Sequence, residues 1–402
     1  MRAHWWAAVA AVARLVGDIE AAEDAVQDAC AAALCQWPSG GIPSNPRSWL
    51  IGTARHKAID RIRRESVRAA KEADAMRDAA GREPAGGWQP REDDELGLIF
   101  ACCHPALDPA VRVALTLRCV CGLSTPQIAA GFLIPDATLA QRLVRAKRKI
   151  RQAGISLAMP RSADLPARLD AVLRVAYLVF TEGHKAATGE MLVCGDLCDQ
   201  GIRLARGLAA LLPGEPEVTG LLALLLLTDA RRAARTDARG DLVLLEEQDR
   251  KLWDPAMIGE GEALLEQSMR RGRPGPYQLH AAIAACHSCA PSAADTDWRE
   301  IAALYGELIR FEPTPVVEAN RAVAVAMAEG PAAGLVILDT VGVDPHLARW
   351  PQLHIARAAL LHLLGRSAEA ADAYQAALEL EPTSAERAFI GRRIRETRGL
   401  TP

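Results

Sequence analysis

The chain has 402 residues, of which 50% are hydrophobic, 24% charged and 4% aromatic, with a formal net charge of −3. That length has room for two or three domains, and abundant Ala and Leu beside few aromatic residues favours helix over sheet, so an all-α fold is expected. The longest apolar run, Leu221 to Leu227, falls far short of the roughly 20 residues a membrane helix needs, and no small-residue cleavage site follows the first apolar patch, so the expectation is a cytoplasmic protein without a membrane span.

In chain order, an acidic helix is expected from Asp18 to Trp37, in which Asp24 and Asp28 stand one turn apart and repel each other unless a cation binds there. The run from Pro38 to Pro46 reads as a turn, and a basic helix follows from Arg47. Along Trp49 to Arg64, Leu50, Ala54, Ala58 (or Ile59) and Ile62 share one side, and the other faces are almost continuously basic. Residues 73–95 contain several Gly and Pro residues and the acid cluster Glu92 to Glu95, and read as a flexible linker. Short helices are expected from Leu96 to about Ile155, after which Pro160 and Pro166 lead into a long helical C-terminal half.

The sharpest local pattern runs from Gly122 to Ala146. Ser124 and Gln127 form a capping box that opens a short helix ending near Gly131, and Pro135-Asp136 restarts the chain in a second helix, giving a helix-turn-helix. In the second helix Leu139, Leu143, Ala146 and Ile150 face inward by their spacing, which leaves Gln141, Arg142, Arg145, Arg148 and Lys149 outward. Gln and Arg are the side chains that can read adenine and guanine edges in a major groove, while the cations nearer the C-terminus can grip phosphates.

Charge is distributed unevenly. Residues 45–72 carry eight Lys/Arg against three acids, and residues 136–152 carry six against one, so two islands of +5 stand in a chain whose remainder is acidic. Two separate phosphate-contacting surfaces would look like this. Residues 162–402 hold 25 basic and 33 acidic groups.

In the C-terminal half, Gly365 to Pro382 reads like the second helix of a tetratricopeptide repeat (TPR), with small Ala370 and Ala377 for close helix approach. Tyr305, Ile309 and Pro313 reproduce the offsets of Tyr374, Leu378 and Pro382, and Pro345 lies between, so TPR-like repeats are expected near 290–400. The ten cysteines are scattered through a chain with ample apolar core and read as reduced. Cys286 with Cys289 and Cys102-Cys103-His104 offer zinc-type ligands, but neither has a matching second pair at zinc-ribbon distance; Cys194 and Cys198, one helical turn apart, could complete a site with the former pair, yet buried thiols in small-residue helix packing are the favoured reading, and no metal and no cofactor is expected. No Walker loop, HExxH or nucleophile elbow is present, and an enzyme is not expected.

Together these segments resemble the extracytoplasmic-function (ECF) sigma factors of bacterial RNA polymerase. The helix Ala22-Glu23-Asp24-Ala25-Val26-Gln27-Asp28 is similar to the region 2 helix that docks on the polymerase clamp, Trp49 to Arg64 to the part that melts and reads the minus-10 element, and Leu107 to Arg151 to region 4. Phe100 to Leu107, Ala176 to His184, and Gln248-Asp249-Arg250 before Trp253 resemble the subgroup with a long TPR-containing extension. The resemblance implies region 2 over 1–72, a linker over 73–95, region 4 over 96–160 and a helical regulatory extension over 161–402.

It further implies that Asp24 and Asp28 contact the β′ clamp, that Arg55, His56, Lys57, Arg61, Arg63 and Arg64 line the melted minus-10 strand, and that Thr138, Gln141, Arg142 and Arg145 address the minus-35 element. The partners so implied are core RNA polymerase through its β′ clamp and β flap, promoter DNA, and a protein or peptide for the TPR-like part. Many relatives have Asn where this chain has His56, and only 17 residues precede Asp18, which implies a truncated first helix or a misassigned start. Two rivals stand beside this reading: a helix-turn-helix regulator with a TPR dimerisation arm, and a TPR scaffold with a vestigial sigma half.

Overall fold

A computed structural model describes residues 2–73, 94–121, 123–131, 134–161, 163–186, 194–237, 243–344, 347, 350–380 and 384–398. Among them are eighteen α-helices and four short 3-10 turns, with no strand, as the composition implies. The chain divides into two compact units, Met1–Val179 and Phe180–Pro402.

The N-terminal unit contains α1 (Arg2–Val16), α2 (Ile19–Gly40), α3 (Pro46–Ala73), α4 (Asp94–Cys102), α5 (Pro109–Cys119), α6 (Thr125–Gly131), α7 (Asp136–Gln152) and the start of α8 (Leu165–Ala186). Residues 7–13 of α1 are all Ala or Val and are buried, so α2, α3 and α4 pack closely around them. Asp18 caps α2, its carboxylate accepting from the backbone N–H of Glu20 at 2.8 Å and of Ala21 at 3.4 Å.

Two expectations change here. The α2 helix does not stop at Trp37 but runs through Pro38 to Gly40, and Gly41, at φ 79°, closes it by donating its N–H to the Trp37 carbonyl at 2.9 Å. Ile62 continues the stripe of α3 but is not buried. The buried stripe is Leu50, Ile51, Ala54 and Ala58, and Ile62 is 44% exposed. The reason is length: α3 has 28 residues against 15 in α1 and 22 in α2, so its later turns outrun the helices it packs on, and residues 60–64 are all exposed.

Of the expected linker, residues 74–93 lie outside the described residues, as do Gly122, Phe132 and Leu133 of the helix-turn-helix. The two segments flanking the linker pack into one unit. α4 lies on α1, Arg14 pairs with the buried Asp94, and Arg47 pairs with Glu95 at 2.7 Å. A Cβ at Gly97 would stand 2.3 Å from the Leu157 carbonyl, so this glycine lets the loop after α7 press onto α4.

The C-terminal unit continues with α9 (Cys194–Leu211), α10 (Pro216–Asp229), α11 (Pro255–Met269), α12 (Pro276–Ser288), α13 (Trp298–Leu308), α14 (Pro315–Glu329), α15 (Pro331–Val341), α16 (Pro351–Leu363), α17 (Ser367–Glu379) and α18 (Ser384–Thr397). The apolar run Leu221 to Leu227 is the middle of α10, which is buried on all sides by α9, α11 and α12. From α12 onward each helix packs on its neighbour in the chain. Hairpin α14–α15 closes at Gly334, where a Cβ would meet the Ala322 carbonyl at 2.4 Å. Ala370, Tyr374 and Ala377 of α17 are fully buried, whereas Tyr305 is only partly buried in a separate, smaller cluster. Pro345 and Pro382 lie outside the described residues.

Candidate nucleic-acid interface

The helix-turn-helix forms with the local chemistry its sequence carries. Ser124 donates its backbone N–H to Gln127 Oε1 at 2.9 Å, and its hydroxyl accepts from the Gln127 N–H at 3.4 Å, closing the capping box at the start of α6. In α7, Leu139, Leu143, Ala146 and Ile150 are each at most 4% exposed. Gln141, Arg142, Arg145, Arg148 and Lys149 are exposed, and Thr138 is half-buried at the first turn. Arg145 is steadied by an Nε–H bond to the Gln141 carbonyl at 3.3 Å, which leaves much of its guanidinium available.

On α3, His56, Lys57, Arg61, Arg63 and Arg64 are exposed and Arg55 is half-buried, so all six expected strand-contacting residues lie off the buried stripe. Arg64 donates Nε–H to the Asp60 carbonyl at 3.2 Å. Two residues expected to serve different partners meet: Arg61 pairs with Asp24 at 2.6 Å, while Asp28, one turn further along α2, is exposed. The self-repelling acid pair has found its cation within the chain.

Two ion pairs that the sequence did not reveal tie α2 to α7. Lys147 reaches Glu23, both nearly buried, and the Cys119 thiol donates to the other Glu23 oxygen at 3.5 Å. Burial disfavours the Lys147 ammonium, but the facing Cys119 and Glu23 overcome it and raise its pKa above the ordinary lysine value. Arg151 pairs with Asp18 at 2.7 Å. Burial works against ionised Asp18, yet Arg151 and the two capping N–H groups hold its carboxyl below the usual carboxylate range. Lys147 sits among the basic residues of its island but points inward, and helical spacing gave no warning of a carboxylate partner more than a hundred residues away.

The thiols behave as structural groups. Cys102, Cys103 and Cys119 are fully buried, and burial pushes the Cys103 thiol up to about 12. Cys286 is half-buried and Cys289 exposed, with thiols raised by burial and nearby carboxylates to about 11 and about 12. Among the described residues one group could hold a metal: the ligand atoms of His184, Cys198 and Asp229 lie within 4.8 Å of one another. Its surroundings oppose a cation, since Arg232 donates to both Asp229 oxygens at 2.8 and 2.6 Å, and burial followed by Arg235, Arg231 and Arg232 depresses the His184 pKa to about 3. In the same unit a cavity of about 340 Å³ is lined by Asn320, Gln352, Tyr374 and Arg393, with Leu244 and Glu246 at its wall. Among the described residues no helix is long and apolar enough to cross a membrane.

Comparison with known proteins agrees with this geometry. Residues 4–68 match sigma-70 region 2, residues 98–150 match sigma-70 region 4, and residues 168–269 match a family of unknown function (DUF6596). The N-terminal unit of this all-α chain thus contains both segments that match sigma-70 regions. It is 44% identical over 389 residues, 95% of its own length and 91% of the relative's, to "Uncharacterized protein R00370" of Rhizobium meliloti (strain 1021), and belongs to the same family. It is also 33% identical over 159 residues to "Probable ECF RNA polymerase sigma factor SigI" of Mycobacterium tuberculosis, in strains H37Rv and CDC 1551; that match covers 39% of this chain and 54% of the relative. No solved structure matches the chain.

Proposed function

We propose that the chain is an alternative sigma factor of the ECF type, which binds core RNA polymerase and directs it to a two-part promoter, with its activity modulated by its own C-terminal helical extension. The observation that carries this reading is the pair of exposed basic faces on α3 and α7, borne by the two segments that match regions 2 and 4. Asp24 and Asp28 of α2 would meet the β′ clamp, and region 4 the β flap. Arg55, His56, Lys57, Arg61, Arg63 and Arg64 would follow the opened minus-10 strand, where cationic faces hold the backbone. Thr138, Gln141, Arg142 and Arg145 would read minus-35 base edges. The protein supplies recognition and strand capture and no catalytic chemistry of its own, and it would act in the cytoplasm.

The two ion pairs between α7 and the start of α2 add a requirement. The two promoter elements, by their names, lie about 25 base pairs apart, roughly 85 Å of duplex at 3.4 Å per step. Helices clamped through Glu23–Lys147 and Asp18–Arg151 cannot span that distance, so the two regions must part when both elements are engaged. The cost of breaking a nearly buried pair is then part of the control of initiation.

The extension is read as a TPR-like array that takes a protein or peptide partner, supported by its successive packed hairpins and by the cavity between α14, α16 and α18. Run-off transcription with bacterial core polymerase on a fragment library, using the full chain and a chain ended after α8, tests the whole reading. Discrete starts preceded by a shared two-part sequence are expected, with activity differing between the two chains. Absence of directed initiation by either would favour the scaffold alternative, and tight sequence-specific duplex binding without polymerase would favour the helix-turn-helix regulator.

A further inference from the structure

The segment that leaves α10 concentrates arginine inside the C-terminal unit. Arg232 is satisfied by Asp229 and, at 2.7 Å, by Asp199. Arg235 donates to the His184 carbonyl at 2.7 Å, and Arg250 to the carbonyls of His287 and Ala290 at 2.9 and 2.7 Å. These carbonyl bonds satisfy donors without neutralising charge. Arg250 and Arg231 share one aromatic ring, their guanidinium carbons 4.3 and 5.9 Å from the centre of Trp253.

Arg231 is the group left over. It is half-buried, its Nε has no access to solvent and no acceptor, and the indole Nε1 of the nearby, buried Trp253 is likewise a donor without an acceptor. Both groups can only donate. The charged neighbours that act on Arg231 are Arg235 and Arg250; burial and these two cations lower it to about 10, so it is a cation at neutral pH. The two histidines beside it supply no compensation, since burial and the arginines hold His184 to about 3 and His287 to about 4, both neutral. Asp229, a buried carboxylate two residues before Arg231 in the chain, has both oxygens engaged by Arg232.

Orphaned donors beside an uncompensated guanidinium call for an acceptor that is also negative, which water is not. The same charges that oppose a metal at His184–Cys198–Asp229 favour an anion one step away. We propose that the corner formed by Arg231 and Trp253, faced by Arg235 and Arg250, is a binding site for a small oxyanion, with phosphate as the group that fits best. A phosphate brings three or more acceptor oxygens and up to two negative charges to the two orphaned donors, with Arg235 and Arg250 as cationic neighbours. The proposal does not rest on the transcription reading, and its test does not involve transcription.

The test is equilibrium dialysis and thermal unfolding of the full chain with inorganic phosphate at fixed ionic strength, phosphate being exchanged for chloride, with succinate in a parallel arm. Saturable binding of phosphate and a rise in melting temperature are expected. Arg231→Met should weaken binding at least tenfold without lowering the melting temperature of the anion-free protein, because it removes a charge that has no partner. Trp253→Phe keeps the ring under Arg250 and removes one donor, so it should weaken binding several-fold; it also keeps the test decisive if the methionine variant fails to fold. Arg310→Gln, at an exposed arginine of the same unit, should change nothing. Saturation by succinate alone would keep the oxyanion site and assign it to a carboxylate ligand. Phosphate and succinate no better than chloride, binding unaltered in both corner variants, or tight zinc binding abolished by Cys198→Ser would overturn the proposal.

Discussion

Arginine is used in opposite ways in the two units. On α3 and α7 it stands on exposed faces, spaced along helices whose other side is a stripe of Leu, Ile and Ala. After α10 it turns inward, where Arg231 and Arg235 meet carbonyls, an indole ring and each other's charge. An exposed guanidinium keeps its hydration until a polyanion displaces counterions, so its binding is dispersed and salt-sensitive. A half-buried one has already lost part of its hydration and waits for a ligand of defined size and charge. On the proposed readings, the difference separates a surface that would follow a phosphate backbone from a corner that would select one anion.

The largest expected effect concerns an inward cation of the N-terminal unit. Replacing Lys147 by Met alone leaves Glu23 nearly buried without its partner, and should cost about 3–5 kcal/mol in denaturant unfolding of that unit. The double replacement Glu23→Gln with Lys147→Met should recover most of the loss. A single variant as stable as the parent would show that the pair contributes nothing.

Next come the outward cations. On the proposed function, Arg142→Ala is expected to cost about 1–3 kcal/mol of minus-35 discrimination, relaxing sequence preference at one position, whereas Lys57→Ala should weaken promoter binding evenly across sequences and flatten its salt dependence. Equal, sequence-blind losses for both would mean that α7 reads no bases.

Acid should distinguish the units again. A neutral, inward histidine whose folded pKa lies below its unfolded value contributes stability in full above about pH 6.5, and loses it as the unfolded chain takes up protons below that point. With His184 held to about 3 and His287 to about 4, the C-terminal unit should lose up to about 1.4 kcal/mol per pH unit per histidine between pH 6.5 and 4. Among the described residues the N-terminal unit has one lowered histidine, His104. Hydrogen exchange followed by mass spectrometry across this range should show protection falling first beyond Phe180, and parallel loss in both units would break the comparison.

The smallest effect is at the half-exposed pair Asp24–Arg61, where Asp24→Asn should change stability by roughly 0.2–1 kcal/mol. On the proposed function the same substitution should reduce affinity for core polymerase far more than it alters stability.

Much of the N-terminal unit was legible in sequence because its signals are local. The capping box at Ser124 and Gln127 and the stripe Leu139, Leu143, Ala146 and Ile150 depend on spacings of three and four residues, and the structure has both. The stripe on α3 was legible as far as Ala58 and failed at Ile62, because periodicity says which side a residue is on and not how far the partner helices extend. Pro38 opens the segment whose composition reads as a turn, yet α2 carries it in its final turn, where little of the helix remains to be interrupted.

What the sequence by itself determined is the helical class, the two outward basic faces and the helix-turn-helix, since each follows from composition or from repeats shorter than one or two turns. Tertiary structure alone decided that Lys147 faces Glu23, that Arg61 meets Asp24 and that Arg231 is left without a counter-charge. Those facts depend on contacts across tens to more than a hundred residues, and no local period encodes which distant side chain will come within 3 Å. A basic residue in a sequence has a charge, but only the folded chain gives it a dielectric and a partner.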